Sequence, residues 1–533
     1  MENKRVLVAV ILSMAVLLGW NFLFPPSPPR VQPPQEQSRP APETTERAQV
    51  PDTREERPVF PEEQVPAEPG ELITVETPQY VATFNSAGGI LESFSLKQYM
   101  ETIAPGSAPV DLIQEQASDK APMGVLWERV ATWRQGNWSV EGKDIALESG
   151  EEGKLVFQGT LGNIRFVRTL HFKAGTFLMD EDLLIVNQGQ ESIRKEVAFT
   201  LAAPSLEEDN RYNQTKVAYL VPDGLEEISD RDDLERGIQT EVPVAWAGIE
   251  NNYFLLAVSP LTAGMNLKAR MEDGVYRVAV EELVSLAPGG QEQISTTYYL
   301  GPKDDRFLDQ APNQMNAAID YGWFDFIAKP LLEVLNFFYK YVGNYGIAII
   351  LLTVVIKILF WPLSQKSYKS MEQMKKLQPV MTKIREKYKD DRQKMNQEMM
   401  QLYKTYKVNP AGGCLPMLLQ IPVFIALYQA LLGAIEMRHA SFIAQVPFTD
   451  IVWLADLSAK DPFYITPIIM GATMFLQQKM TPTPGDPTQA KIMMFMPIIF
   501  TFLFLSFPAG LVLYWLVNNV LSIGQQWLMT RKA

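Results

Sequence analysis

Hydrophobic and polar positions divide this chain into three regimes, each with its own period. An unbroken apolar run covers Val6 to Phe24, about 28 Å of helix and close to the thickness of one bilayer core. Five further apolar runs crowd the C-terminal part, at 345–363, 414–432, 463–478, 492–507 and 511–528, and each predicts a membrane-spanning helix. From 71 to 320 the pattern changes to short alternating runs such as Tyr80-Val-Ala-Thr-Phe84, Arg165-Phe-Val-Arg-Thr-Leu-His-Phe172 and Asp182-Leu-Leu-Ile-Val-Asn187, separated by Asn-Ser and Gly-Gly turns. These are strands, and roughly 250 residues of them can bury a core of their own as a β-sandwich.

The connecting segments complete a multi-domain membrane protein with one anchor (1–24), a helical core of five spans (343–533) and a large β-sandwich between them. Residues 25–70 are Pro, Glu, Gln and Arg with almost no large apolar side chain, too polar to offset the entropy of ordering, and read as a tether. No small-x-small cleavage site precedes Pro25, so the first run reads as an uncleaved anchor rather than a signal peptide. In 321–342 aromatics and aliphatics recur at helical spacing, Trp323, Phe324, Phe337, Phe338 and Tyr339 among them, which predicts an amphipathic helix at the membrane interface or packed under the sandwich. The loop 365–408 carries two stripes, one of Met371, Met374, Leu377, Met381, Ile384 and Tyr388, the other of Met395, Met399, Leu402 and Tyr406, meeting at Asp390-Asp391 as a helical hairpin. Either the stripes bury each other or their methionines serve varied hydrophobic clients or ribosomal RNA.

Charge then gives the orientation. With 48 Lys and Arg against 61 Asp and Glu the formal net charge is -13, which argues against a nucleic-acid-binding protein, although 366–407 is locally basic. That basic loop, Lys479, Lys491, Arg531 and Lys532 fall on the same side as Lys4 and Arg5, while Arg438 and Lys460 lie opposite. The positive-inside rule therefore places both termini and the hairpin in the cytoplasm and the sandwich in the periplasm. The single cysteine, Cys414, cannot form an internal disulfide. His171, with Asp180, Glu181 and Asp182 nearby, is a weak catalytic constellation, since a strand histidine is more often structural. No nucleotide motif, metal cluster or catalytic triad is seen and His439 stands alone, so neither enzyme chemistry nor a cofactor is expected.

The distinctive chemistry lies inside the first core span, where Lys357 would cost about 2.5 to 3.5 kcal/mol at mid-membrane on insertion scales. Snorkelling toward headgroups is one answer; a water-filled groove open to the cytoplasm is the other, favoured by Thr353 one turn away, Gln420 in the second core span, Gln477 and Gln478 ending the third, and Asn518 and Asn519 in the last. No acid accompanies the lysine in these spans. Two spans are short, which thins the bilayer locally, and Pro416, Pro422, Pro467 and Pro497 add kinks. A secondary transporter or channel using the intramembrane lysine is the alternative, but it would want inverted repeats or discontinuous helices, which the five unequal spans do not provide.

Six stretches carry a resemblance: Val342-Gly-Asn-Tyr-Gly346, Trp361-Pro-Leu363, Val408-Asn-Pro-Ala-Gly-Gly-Cys-Leu-Pro416, Gln420-Ile-Pro-Val-Phe424, Leu427-Tyr428 and Phe507-Pro-Ala-Gly-Leu-Val-Leu-Tyr514. In order and spacing they resemble the YidC/Oxa/Alb family of membrane insertases from about residue 322 onward. The N-terminal half more loosely resembles the mutarotase-like supersandwich of the Gram-negative members. The resemblance implies an inner-membrane, multi-pass insertase and chaperone with a groove in which a cation attracts the polar tail of a client. Lys357 matches that cation, although the family usually has arginine there, and lysine keeps the charge without the five-donor fork. It further implies that Thr353, Gln420, Asn518 and Asn519 line the groove, while Ile421, Phe424, Leu503, Tyr514 and Trp515 form the contacts a client helix slides past. The partners implied are nascent membrane-protein clients, Sec translocon components, membrane lipids, and the ribosome through the hairpin and C-terminal tail. Client hydrophobicity and membrane potential would drive insertion.

Overall fold

The computed structural model describes residues 70–533, apart from 115, 116, 118, 119, 262, 263, 407, 409–414, 447, 450, 451, 481–486, 532 and 533. The anchor (1–24) and the tether (25–70) up to its last residue lie outside the described residues. From residue 70 onward the chain forms a β-rich domain of three sheets and then a helical domain.

Period-two alternation sets the strands of the β-rich domain. In Ile164–Lys173 the even positions Phe166, Arg168, Leu170 and Phe172 are buried, and in Leu178–Asn187 the odd positions Met179, Glu181, Leu183 and Ile185 are buried against them. These two antiparallel strands sit in a nine-stranded sheet. Its order runs from Gly224–Ile228 through Lys216–Val221, Trp246–Glu250, Phe254–Pro260, Gln291–Pro302, Leu178–Asn187, Ile164–Lys173 and Glu152–Leu161 to Asn137–Glu141. Trp246–Glu250 and Phe254–Pro260 are buried at every position, so their burial is continuous rather than alternating. A six-stranded sheet built around Val275–Leu286 and Ile193–Ala203, and a five-stranded sheet around Tyr80–Asn85 and Ile90–Met100, complete the domain. Alternation also separates the weak catalytic constellation. Glu181 points inward to the Arg168 guanidinium at 2.6 Å, while His171 is half exposed on the other face, 3.6 Å from Asp182.

Among the described residues the helical domain has eight longer helices: α1 (Asp325–Val342), α2 (Tyr345–Leu359), α3 (Trp361–Lys387), α4 (Arg392–Thr405), α5 (Leu415–Gly433), α6 (Ile465–Met480), α7 (Pro487–Phe504) and α8 (Ala509–Arg531). α1 is amphipathic, with Ala328, Leu332 and Leu335 buried and Phe326, Phe337 and Tyr341 exposed. The Val342-Gly-Asn-Tyr-Gly346 stretch is the joint between α1 and α2. Gly343 takes φ +64° and donates its N–H to Tyr339 O at 2.7 Å, closing α1 in a left-handed cap that a side chain would strain. Asn344 then caps α2 by accepting from the Ile347 N–H, and Tyr345 stacks on Tyr339 with ring centroids 3.9 Å apart. Gly346 is glycine because Phe442 packs over it: a Cβ there would lie 2.1 Å from that ring.

The first core run is expected to be helical to Leu363, but α2 ends at Leu359, and α3 starts at Trp361 after a bend of 62°. Pro362 is the cause, since it has no N–H for the carbonyl four residues back. The hairpin helix accordingly begins at Trp361 rather than 365. The other expected runs also shift by a few residues, to the bounds of α5, α6, α7 and α8. Taken singly, no described helix is long and apolar enough to cross a membrane, whereas the bent α2–α3 pair passes by length and composition. The two hairpin stripes bury each other, with Met374, Leu377, Met381, Leu402 and Val408 at the seam, flanked by Ile384, Met399 and Tyr403, while Tyr406 is exposed. Asp391 caps α4 by accepting from the Lys394 N–H at 3.0 Å.

The two domains share an interface at the loop after α5 and the α7–α8 turn. Arg438, one of the two cations against the positive-inside pattern, donates to Glu207 of the β-rich domain at 2.6 Å and lies over the Phe254 ring at 5.2 Å. Its side chain is 5% exposed and that of Glu207 20% exposed. Asn252 donates to Leu432 O, and Tyr212 packs on Phe507 beside Ser506. Replacing Arg438 with alanine would leave the Glu207 carboxylate enclosed without its cation. The expected loss is roughly 2 to 4 kcal/mol of docking free energy. The measurement is faster amide hydrogen exchange across residues 432–442, with unchanged exchange in the nine-stranded sheet.

Candidate functional site

The site grows from α2, α6 and α8, three helices whose apolar surfaces pack together and whose few polar side chains have nowhere to go but toward one another. The start of α6 is fixed by Asp461, which accepts from the Phe463 and Thr466 N–H groups, the Thr466 hydroxyl and the Trp453 indole at 2.7–3.0 Å. Burial pushes the Asp461 carboxyl up, but these hydrogen bonds outweigh it and hold it below its ordinary value. The start of α8 is fixed by the Phe507-Pro-Ala-Gly510 stretch: the Ala509 and Gly510 N–H groups donate to Ala459 O and Leu457 O at 2.8 and 2.9 Å. α1, α2 and the loop after α5 are tied by Asn336, which donates to Glu436 and accepts from the Tyr345 hydroxyl. Burial, with Asp304 adding repulsion, raises the Glu436 carboxyl above its ordinary value.

At the far end of α2 the Lys357 ammonium donates to Asn518 Oδ1 at 3.1 Å and to Ser522 Oγ at 2.6 Å, both on α8. An ammonium has three N–H donors, and these two contacts leave one for water or a ligand oxygen. Among the described residues no carboxylate lies within ion-pair distance of it. A half-buried cation held only by neutral oxygens is an electrostatic attractor for an anionic group, because its charge is uncompensated in a low-dielectric setting.

The other expected groove residues divide between this cluster and a second one. Asn519 is buried, with its amide 3.5 Å from the Thr473 hydroxyl of α6. Thr353 is also buried and donates back to Ile349 O at 2.6 Å, so its hydroxyl faces its own helix. Gln420, on α5, is half-buried; the buried Tyr514 hydroxyl has it as polar neighbour, without a hydrogen bond of good geometry between them. Phe424 meets Trp515 edge to face at 4.7 Å, and Trp515 continues onto Phe500 and Phe504 of α7. Ile421 and Leu503 are 46% and 45% exposed and form outward apolar surface, whereas Tyr514 is 1% exposed. A client meets Tyr514 only if α5 and α8 part.

Sequence reasoning missed Ser522, Thr473, Gln525 and Gln526. The signal was available: Asn518, Asn519, Ser522, Gln525 and Gln526 recur at i, i+1, i+4, i+7 and i+8, a polar stripe on one face of α8.

Comparison with known proteins gives matches along the whole described chain. Residues 72–334 match the family model described as YidC periplasmic domain, and residues 337–533 match the one described as 60Kd inner membrane protein. The membrane protein insertase YidC of Maridesulfovibrio salexigens is 54% identical over 542 residues, covering 100% of both chains. That of Lawsonia intracellularis is 49% identical over 541 residues, again covering 100% of both. A solved structure, an active YidC insertase with its first transmembrane domain resolved, is similar at 20% identity with a TM-score of 0.36, covering 86% of this chain and 94% of that one.

Proposed function

The chain belongs to the YidC family of membrane protein insertases, and from that premise we propose that it carries clients into the bilayer along a groove whose charged station is Lys357 and whose apolar wall is built by α5, α7 and α8. It is an inner-membrane insertase with a periplasmic domain, and membrane proteins are its clients. The observation that carries the route is the Lys357 ammonium held by Asn518 and Ser522, with no acid beside it among the described residues. An acidic or polar client tail is drawn to that charge while its apolar segment lies against Ile421, Leu503 and the Phe424–Trp515 pair, and leaves sideways into lipid. Asn519 and Thr473 keep α8 and α6 in register, and Gln420 supplies a polar edge on α5.

In this reading the periplasmic domain is a supersandwich, six helices span the membrane with both termini cytoplasmic, and α1 lies in the interface with Phe326, Phe337 and Tyr341 toward lipid. Met374, Met381 and Met399 of the hairpin are taken up by its own seam, and its outward lysines would meet the ribosome together with the C-terminal tail. Sec translocon components and membrane lipids complete the partners.

Photocrosslinking in living cells tests the route, with a crosslinker placed in turn at Gln420, Ile421 and Leu503 during synthesis of a small two-span client. Adducts are expected at all three positions and should disappear when the client's apolar segment is made polar. If no client adduct forms and hydrophilic thiol reagents reach cysteines at these positions from both membrane faces, a channel or transporter takes the place of the groove.

A further inference from the structure

Below Lys357 the polar stripe of α8 continues for two more positions that the charged station does not use. Ser522 is one turn beyond Asn518, and Gln525 and Gln526 are one turn beyond Ser522, so all lie on one helix face. Gln526 has a protein partner, donating from Nε2 to Met480 O at 2.7 Å. Gln525 does not: it is 2% exposed, and neither its Nε2 nor its Oε1 has a hydrogen-bond partner among the described residues. At the end of α6, the buried Nε2 of Gln478 also has none among them. Buried amide groups are nearly always paired, with protein or with ordered water. Leucine would fill the Gln525 position without that penalty, whereas the unpaired carboxamide offers a donor and an acceptor to a partner that arrives.

We infer that Gln525, with Gln478, is a second station of the client path, one that recognises the uncharged peptide backbone of the segment being carried across. A carboxamide offers N–H donors and a carbonyl acceptor, the same pair that a peptide group presents, and it does so without regard to the sequence of the client. Lys357 reads charge; the glutamines accept whatever extended polar chain comes after it. The placement of Ser522 between them makes the track continuous along α8, since it accepts from Lys357 and donates to Asn518 O. This inference rests on the insertase groove proposed above and adds residues and a ligand class to it.

The test compares two clients in proteoliposomes containing the full chain: one translocates a long Ser/Gly/Asn-rich tail without charges, the other has a single span and no translocated tail. Gln525→Leu is expected to slow insertion of the first roughly fivefold to tenfold, the scale of one or two lost hydrogen bonds. The second should be unaffected, and Gln525→Asn should restore part of the rate for the first. Thermal unfolding of the Gln525→Leu protein should be unchanged or shifted upward, since an unpaired amide is replaced by an apolar group. Equal rates for both clients would overturn the inference, and so would an equal loss for both, which is what a merely structural glutamine would give. Lys357→Met, assayed in parallel on a client with an acidic tail, separates the two proposals: if it has no effect, the groove itself fails, whereas an effect there with none at Gln525 removes only the backbone station.

Discussion

Insertion of a client with an acidic translocated tail is expected to fall at least tenfold when Lys357 is replaced by methionine and to become undetectable when it is replaced by glutamate. The methionine keeps the length and apolar stem of the side chain but removes the charge, leaving Asn518 and Ser522 to satisfy each other. A unit charge 4 Å from a carboxylate contributes about 4 kcal/mol at an effective dielectric of 20, and a part of this is enough for the expected loss. Glutamate reverses the sign and repels the tail. Arginine should retain activity within about twofold, because the attraction depends on charge and its longer guanidinium still reaches oxygens of α8. The assay is rate of protease protection of the tail in proteoliposomes, with a neutral-tail client as reference; a methionine variant that loses both clients equally would mean that Lys357 holds α2 to α8 rather than attracting the client.

The largest effect on stability is expected in the β-rich domain, at Arg168. Its guanidinium makes a two-pronged contact with Glu181, at 2.6 and 3.0 Å, donates to Met123 O at 2.7 Å and also to Gly88 O, and both side chains are 0% exposed. Arg168→Met leaves a carboxylate sealed among Phe166, Leu170 and Leu183 with no cation, which costs about 3 to 5 kcal/mol, and the turn carbonyls of Met123 and Gly88 lose a donor as well. Thermal unfolding of the full chain should show the transition of this domain lowered by several degrees and the helical domain unchanged. The double variant Arg168→Met with Glu181→Met should recover much of the loss, because removing both partners removes the unpaired charge. A double variant no better than the single one would place the cost in packing around the arginine stem instead.

Individual elements show how far the sequence could be read. Alternation found nearly all of the strand Ile164–Lys173 and the second half of Leu178–Asn187, and counted position by position it would also have put Arg168 and Glu181 on the same inward face. Apolar runs located the helices from Tyr345 onward, while their ends moved where local chemistry intervened: at Pro362, which splits the first run into α2 and α3, and at Asp461, whose cap starts α6. The motifs carried the family, and the structure supplies reasons for two of them, the Gly343–Gly346 joint and the N-terminal cradle of α8.

The sequence by itself determined the periods, and therefore a β-rich domain followed by a helical membrane domain, with a lone lysine inside an apolar helix. Periodicity is local: it is fixed by 3.6 or 2 residues per repeat and needs no knowledge of what lies across the interface. Tertiary structure decided the partners. Only packing brings Asn518 and Ser522 of α8, more than one hundred and fifty residues away, to the Lys357 ammonium, turns Arg438 onto Glu207, folds the methionine stripes of the hairpin onto each other, and encloses Tyr514 and Thr353, which the sequence had set along an open groove. Those contacts depend on which helix faces which at what rotation, and that is set by the close-packing of whole surfaces rather than by any one segment.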